Sequence, residues 1–309
     1  MKIGILEPDG FSTDAIESLS RFAQVEVYKG GDVLRFVKDK HVLFIRLNIE
    51  INRTLIDSAP FLQFICSPTT GLNHIDTVYC QKKHIEIISL KGEFRFLKTI
   101  RATPEHTLGL ILALKRHYKD AFLNTQNAEW NRDPFRGYEI FNSKVGIIGL
   151  GRVGKILSTF LKPMGAEIGF YDPDPSKHKN KLIKFDSIAA LIKASDTIVL
   201  CSSYDLRTGS IIGKPEIEAM KGKYFINTAR AELTDESTLV RKAASGHFKG
   251  IAVDVIQDEQ GTQKNLKNWL SAAESHNVII TPHIGGATYS SMCRTEEFIS
   301  DKLIRRFEQ

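Results

Sequence analysis

The sequence predicts an α/β protein of two domains, the larger one a doubly wound parallel sheet. Three observations predict it. The chain has 309 residues, more than one hydrophobic core usually serves. Short apolar runs alternate with helix-like stretches throughout, the pattern of parallel strands joined by crossover helices. A glycine-rich turn, Gly149 to Gly154, sits between one apolar run and the next helical stretch.

In the first hundred residues the strands are expected at Ile3 to Leu6, Val25 to Tyr28, Val42 to Ile45, Gln63 to Cys66 and Ile85 to Ile88. Helices between them are expected to start near Ser12 or Thr13, Thr54 and Asp76. A long helix follows near Thr103, with Thr103 as its N-cap and Pro104 at its first position. Leu108, Leu110, Ile111, Leu112 and Leu114 make it apolar on nearly every side, so it is expected to be buried as a bridge between domains. Residues Asn124 to Asn142 are polar and read as a connecting arm. Six further strands are expected at Val145 to Ile148, Glu167 to Tyr171, Thr197 to Leu200, Tyr224 to Asn227, Ile251 to Asp254 and Val278 to Ile280. The final stretch, Tyr289 to Glu308, reads as a helix that packs back on the first domain. The expected division is 1–100 with 287–309 against 101–286.

Composition narrows the class. Apolar residues make up 42% and charged residues 25%, ordinary values for a soluble globular protein. No stretch approaches the roughly 20 apolar residues needed to span a bilayer. Met1 to Leu6 runs directly into Glu7 and Asp9, without the longer apolar core of a signal peptide. Cys66, Cys80, Cys201 and Cys293 form no CxxC and lack histidines at ligand spacing, so reduced thiols, a cytoplasmic location and no metal site are expected. The net charge of +6 favours anionic partners. The basic runs Lys177 to Lys184 and Lys38 to His41 are short and lack interleaved aromatics, which favours small anions over nucleic acid.

Val145-Gly-Ile-Ile-Gly149-Leu-Gly151-Arg152-Val153-Gly154 is a strand running into GxGxxG and then a helix. Gly149 permits the tight turn, Gly151 lets the backbone approach a pyrophosphate, and Gly154 lets helix pack closely on strand. The helix N-terminus then offers N–H groups to the phosphates. The next strand ends at Asp172, placed to accept hydrogen bonds from the ribose hydroxyls of NAD and to repel the extra phosphate of NADP. NAD is therefore the expected cofactor, with Lys177 and Lys179 close by in sequence.

Three polar residues follow later strands: Arg230, Glu259 and His283. Ligands of open α/β sheets bind at that edge. Reduction of a keto acid needs a hydride at carbon and a proton at oxygen, and a histidine can exchange that proton near neutral pH. A neighbouring carboxylate would stabilise its charged form. Arginine can pair with a substrate carboxylate and polarise the adjacent carbonyl.

On these motifs the sequence resembles the D-isomer-specific 2-hydroxyacid dehydrogenase family over nearly the whole chain. Asn227-Thr-Ala-Arg230, Asp254 to Glu259, Thr281-Pro-His283-Ile-Gly-Gly286, Thr70-Gly71-Leu-Asn-His-Ile-Asp76 and Pro104-Glu-His-Thr-Leu-Gly-Leu all match its patterns. The resemblance implies a Rossmann-type NAD-binding domain and a flavodoxin-like substrate domain. It implies that Arg230 orients the substrate, Glu259 tunes the histidine and His283 is the acid/base. Backbone around Thr69, Thr70 and Gly71 would hold the substrate carboxylate. Arg152 and Val153 would meet the pyrophosphate, and Thr228, Ala229, Asp254, Gly285 and Gly286 would line the nicotinamide end. A homodimer that closes a cleft between domains is implied as well.

The chain departs from the family pattern at Gln260, at Ala231, at Ser202-Ser203-Tyr204, and in Leu90 to Ala102. These departures bear on the substrate pocket, not on the reaction. An acid at 259 favours keto acid chemistry over formate oxidation, for which the family carries glutamine. Arg46, Asn48, His74, Arg95 and Arg101 are either contacts for a second anionic group or ordinary surface charge, and Arg46, ending an apolar strand, is expected to face the substrate. The alternatives are an NADH-sensing binding protein of the same fold and a Rossmann dehydrogenase for a sugar nucleotide or L-hydroxy acid.

Overall fold

The computed structural model describes residues 1–174, 176, 182–204, 209–259, 261 and 264–308. Lys177, Lys179 and Gln260 lie outside the described residues. The chain divides into two compact units, Met1–Ile100 with Ala287–Gln309, and Arg101–Gly286.

The first unit alternates strand and helix: β1 (Lys2–Ile5), α1 (Thr13–Phe22), β2 (Gln24–Val27), α2 (Val33–Val37), β3 (Val42–Phe44), α3 (Arg53–Asp57), β4 (Phe64–Ser67), α4 (Thr77–Lys82), β5 (Glu86–Ser89) and α5 (Phe94–Leu97). Its strands are all parallel in the order β2-β1-β3-β4-β5, which is the flavodoxin arrangement. Short polar side chains start the helices by taking otherwise unpaired N–H groups. Ser12 accepts from Ala15 N at 3.3 Å, Asn52 from Leu55 N at 3.1 Å and Asp76 from Tyr79 N at 2.9 Å. One stretch read only as a departure, Leu90 to Ala102, contains the one-turn helix α5.

The second unit follows with α6 (Ala102–Lys115), α7 (Tyr118–Gln126), β6 (Lys144–Ile148), α8 (Arg152–Leu161), β7 (Glu167–Tyr171), β8 (Ile183–Lys184), α9 (Ile188–Ala194), β9 (Thr197–Leu200), α10 (Lys214–Ala219), β10 (Tyr224–Asn227), α11 (Glu236–Ala244), β11 (Gly250–Val253), α12 (Lys264–Ser275) and β12 (Val278–Ile280). The long helix α13 (Tyr289–Glu308) returns to the first unit, where Ile299 and Leu303 are fully buried beside Ile3, Ile5 and Ile88.

Three expectations are corrected here. The sheet of the second unit has seven described strands, not six, ordered β12-β11-β10-β9-β6-β7-β8 and parallel throughout. The extra strand, β8, is two residues long and exposed, too short to show a periodicity. Helix α6 starts at Ala102 rather than with Thr103 as its cap, and the Thr103 carbonyl instead accepts the Thr107 hydroxyl at 2.7 Å. Pro104 then falls in the first turn, where its missing N–H would have had no helical partner in any case. The arm expected from Asn124 opens inside helix α7 and contains a single 3₁₀ turn, Asp133–Phe135.

The strands β9, β10 and β11 are buried along their whole length, because helices cover both faces of a parallel sheet. Two apolar clusters lie on the sheet's two faces, one around Phe225, Ile251 and Trp269, the other around Ile147, Phe170 and Leu114. Neighbouring strands run in opposite connection directions from β6, outward to β7 on one side and to β9 on the other. The carboxyl edge between β6 and β9 is therefore the switch point at which such sheets bind ligands.

Candidate active site

The glycine turn lies at that switch point. Gly149 has φ +91°, a left-handed conformation that favours glycine, and a Cβ there would sit 2.7 Å from the Ser202 backbone that follows β9. A Cβ on Gly154 would lie 2.4 Å from the Gly149 carbonyl oxygen, so helix α8 packs directly on the turn. Gly151 differs from both, since nothing lies within 4 Å of where its Cβ would be. Gly151 is the N-cap of α8, and Arg152 and Val153 begin the helix. Asp172 follows β7 and accepts from Leu150 N at 2.7 Å and from Asp174 N at 2.9 Å, which ties the acid to the turn. An open backbone approach, a helix N-terminus and an acid one strand away fit the pyrophosphate and ribose of a dinucleotide.

The three polar residues follow β10, β11 and β12. Arg230 has extended backbone and donates from Nη1 to the Ala229 carbonyl at 2.7 Å. Asn227 braces that turn, accepting from Ala229 N at 3.0 Å and donating to the Arg230 carbonyl at 3.1 Å. Thr228 is buried, 2.8 Å from the Thr107 hydroxyl of α6. His283 and Glu259 come together: His283 Nδ1 lies 2.7 Å from Glu259 Oε2. A carboxylate only accepts, so Nδ1 carries the hydrogen and Nε2 is the nitrogen left to exchange a proton. Their side chains are 24% and 34% exposed, enough for a small substrate to reach.

His283 itself sits at φ +54°, and the surrounding contacts keep it there. Its N–H donates to the carbonyls of Asp254 and Thr281, at 2.9 and 3.0 Å. The Asp254 side chain accepts from the Thr281 hydroxyl at 2.5 Å, from Ile284 N at 2.9 Å and from Gly285 N at 2.8 Å. A Cβ on Gly285 would come 2.8 Å from Asp254 Oδ2, while the position of Gly286 is open. His106 of α6 completes the group, with Nε2 3.2 Å from Asp254 Oδ1 and 3.1 Å from the Thr281 hydroxyl. Burial pushes the Asp254 carboxyl up, but the hydrogen bonds from His106 and Thr281 outweigh it and hold it below the usual carboxylate range.

His106 has no role in the sequence argument beyond its place in a matching motif. Its partner, Asp254, is 148 positions further along the chain, and no local pattern marks the pair.

On the first unit, Thr69 to Gly71 form the turn after β4. The Thr69 hydroxyl lies 2.7 Å from Ser67 Oγ and donates to the Gly71 carbonyl at 2.8 Å, and Thr70 is exposed. Arg46, expected at the substrate, is engaged by two acidic residues of the same unit. Its Nε donates to Glu296 Oε1 at 2.8 Å, Nη2 donates to the same oxygen at 2.5 Å, and Nη1 donates to the Asp9 carbonyl at 2.8 Å. The Glu296 side chain is 1% exposed, so Arg46 supplies the charge that balances a buried carboxylate of α13. Arg95 lies exposed on α5, and the Arg101 guanidinium lies 6.0 Å from the Phe160 ring.

The sequence model of the D-isomer specific 2-hydroxyacid dehydrogenase NAD binding domain matches residues 108–285. That is more than half of the chain, and the chain belongs to this family. The D-3-phosphoglycerate dehydrogenase of Methanocaldococcus jannaschii is 29% identical over 308 residues, which cover 97% of this chain and 57% of the relative. The chain thus spans little more than half the length of that relative. Among solved structures, D-lactate dehydrogenase from Aquifex aeolicus, complexed with NAD and lactic acid, aligns with a TM-score of 0.84 at 25% identity, over 100% of this chain and 95% of that one. NAD-dependent formate dehydrogenase from Staphylococcus aureus, in complex with NAD, also gives 0.84 and 25%, over 99% and 96%.

Proposed function

We propose that this chain is an NAD(H)-dependent oxidoreductase that interconverts a small 2-keto acid and its D-2-hydroxy acid. One observation carries the reading: the 2.7 Å contact between His283 Nδ1 and Glu259 Oε2, on the sheet edge that also carries the Gly149 to Gly154 turn. Bound NADH supplies the hydride. His283 Nε2 gives the proton to the carbonyl oxygen in reduction and takes it back in oxidation. Glu259 fixes the imidazole's orientation and stabilises its charged form. Arg230 pairs with the substrate carboxylate, and its charge polarises the neighbouring carbonyl. Thr69 to Gly71 are proposed as further holders of the carboxylate. A carboxylate at 259 favours a reaction with a proton to move, which supports keto acids over formate.

The test is NADH oxidation against a panel of 2-keto acids, with NADPH in parallel. The expected result is turnover with NADH on at least one acid, falling by about 10²- to 10⁴-fold in His283→Ala. Turnover that survives in His283→Ala would remove the proposed role. Tight NADH binding with no turnover on any acid would favour the sensing protein instead.

A further inference from the structure

Glu236 is 4% exposed, at the start of α11. Among the described residues its carboxylate accepts three hydrogen bonds, and every donor is neutral. Oε2 takes Gln257 N at 3.0 Å and Asn265 Nδ2 at 2.9 Å, and Oε1 takes the Trp269 indole N–H at 2.9 Å. Gln257 lies on the loop that leaves β11, two residues before Glu259. Asn265 and Trp269 lie on α12, where that loop ends. Asn265 Nδ2 also reaches the Gln257 carbonyl, at 3.4 Å.

A buried carboxylate without a cation is costly, and a structure keeps one only where its hydrogen bonds are well made. Burial pushes Glu236 above the usual carboxylate range against the pull of those three donors, and nearby Glu232 adds to the rise. An apolar side chain would fill the same space against Trp269 more cheaply. What the carboxylate adds is a link between the two ends of one loop, and that loop carries Glu259. Between them the chain turns through Asp258 at φ +62°, a left-handed conformation that Asp adopts more readily than most residues.

We propose that Glu236 is a positioning residue for the Glu259 and His283 pair: it cinches the loop at Gln257 and Asn265 and so fixes where Glu259 meets the imidazole. The inference rests on the acid/base reading of His283 given above. Glu236 touches no reacting atom and acts through Glu259 alone. Loss of the link lets Glu259 drift, and a carboxylate that no longer stays on Nδ1 neither orients the ring nor favours its charged form.

The experiment compares Glu236→Gln, Glu259→Gln and the double variant, with Asn265→Ala as a milder cut of the same link. In Glu236→Gln, one oxygen becomes an amide that opposes an N–H with an N–H. Two readouts are used. One is kcat/KM for keto acid reduction against pH. The other is the pH dependence of His283 carbethoxylation by diethyl pyrocarbonate in the protein without cofactor, followed by peptide mass. The reagent attacks neutral imidazole. The expected result is a fall of about tenfold in kcat/KM and a midpoint moved to lower pH in both readouts. Glu236→Gln should add little once Glu259 is already Gln. Asn265→Ala should shift in the same direction by less, which keeps the test decisive if Glu236→Gln fails to fold. Effects that simply add on the Glu259→Gln background, or an unmoved carbethoxylation midpoint in Asn265→Ala, would overturn the proposal. Full turnover in His283→Ala would instead overturn the acid/base reading beneath it.

Discussion

Burial sets how reactive each cysteine is. Desolvation pushes the Cys201 thiol up to about 12 and Cys80 up to about 11, and Cys66 is raised well above its ordinary value. The thiolate is the reactive form, so at pH 8 a thiol titrating near 12 is ionised to about one part in ten thousand. Cys201 and Cys293, the latter on α13, are both half-buried, and it is the desolvated surroundings of the Cys201 sulfur that raise its thiol. Titration of the native protein with a disulfide reagent at pH 8 should therefore give at most one fast thiol, and all four only after denaturation. Fast reaction of Cys201, which follows β9 at the proposed cofactor edge, would contradict the burial that raises it. The same scale separates residues that the sequence reveals from those it hides. The placement of Arg230, Glu259 and His283 just past β10, β11 and β12 is legible because each comes after an apolar run. Glu236 and His106 are not legible, because their partners are brought to them only by folding: Trp269 lies 33 positions from Glu236. Arg46 marks the opposite limit. Its place at a strand end suggests a substrate, and nothing local in the sequence reveals its ion pair with Glu296, 250 positions away.

At the scale of elements, the turn from β6 into α8 divides its work between two glycines. Gly154 has no room for a methyl group, with the Gly149 carbonyl oxygen 2.4 Å from a built Cβ, whereas Gly151 has open space. Gly154→Ala must push α8 off the sheet and should cost about 1–3 kcal/mol of stability, read as a lower Tm. Gly151→Ala should leave Tm almost unchanged and weaken NADH binding, because its methyl would stand where the backbone meets pyrophosphate. Equal losses of Tm in the two variants, or unaltered NADH affinity in Gly151→Ala, would show that this division is wrong. Most elements were legible from their apolar runs: Glu167–Tyr171, Thr197–Leu200, Tyr224–Asn227, Val278–Ile280 and the helix Tyr289–Glu308 have the expected bounds. The misses are the short elements. Two residues of β8 and four of α5 carry no period; β8 persists through its ladder with β7, and α5 through packing by its neighbours. Helix α5 is held by the Phe96 ring stacked on Phe298 at 4.0 Å and by Lys302, which donates to Glu93 at 2.5 Å. Both partners are on α13, at the far end of the chain.

For the whole molecule, the open question with a physical handle is self-association. Tyr118, Phe122, Leu123, Trp130, Tyr138 and Phe141 are all exposed, Trp130 at 95%. They fall within one segment of the second unit, from the start of α7 to just before β6. Single exposed apolar residues are ordinary, and a run of large ones in one polar segment is the feature on which a proposed partner surface rests. A second copy of the chain is the partner we propose, as the resemblance to the family implied. Trp130 and Phe122 are the best places to cut, because neither belongs to the buried core and both are largely exposed in the single chain. The protein should run at twice the monomer mass in light scattering at micromolar concentration. Phe122→Glu with Trp130→Glu should shift it to the monomer while Tm changes little, since both side chains already face water in the single chain. A wild-type monomer across that range would remove the dimer from the proposal, and a dimer untouched by the paired substitution would move the interface to another surface. If the dimer dissociates and kcat/KM for the keto acid is retained, each copy carries a complete site. Loss of turnover on dissociation, with NADH affinity kept, would mean that the partner holds the working arrangement in place.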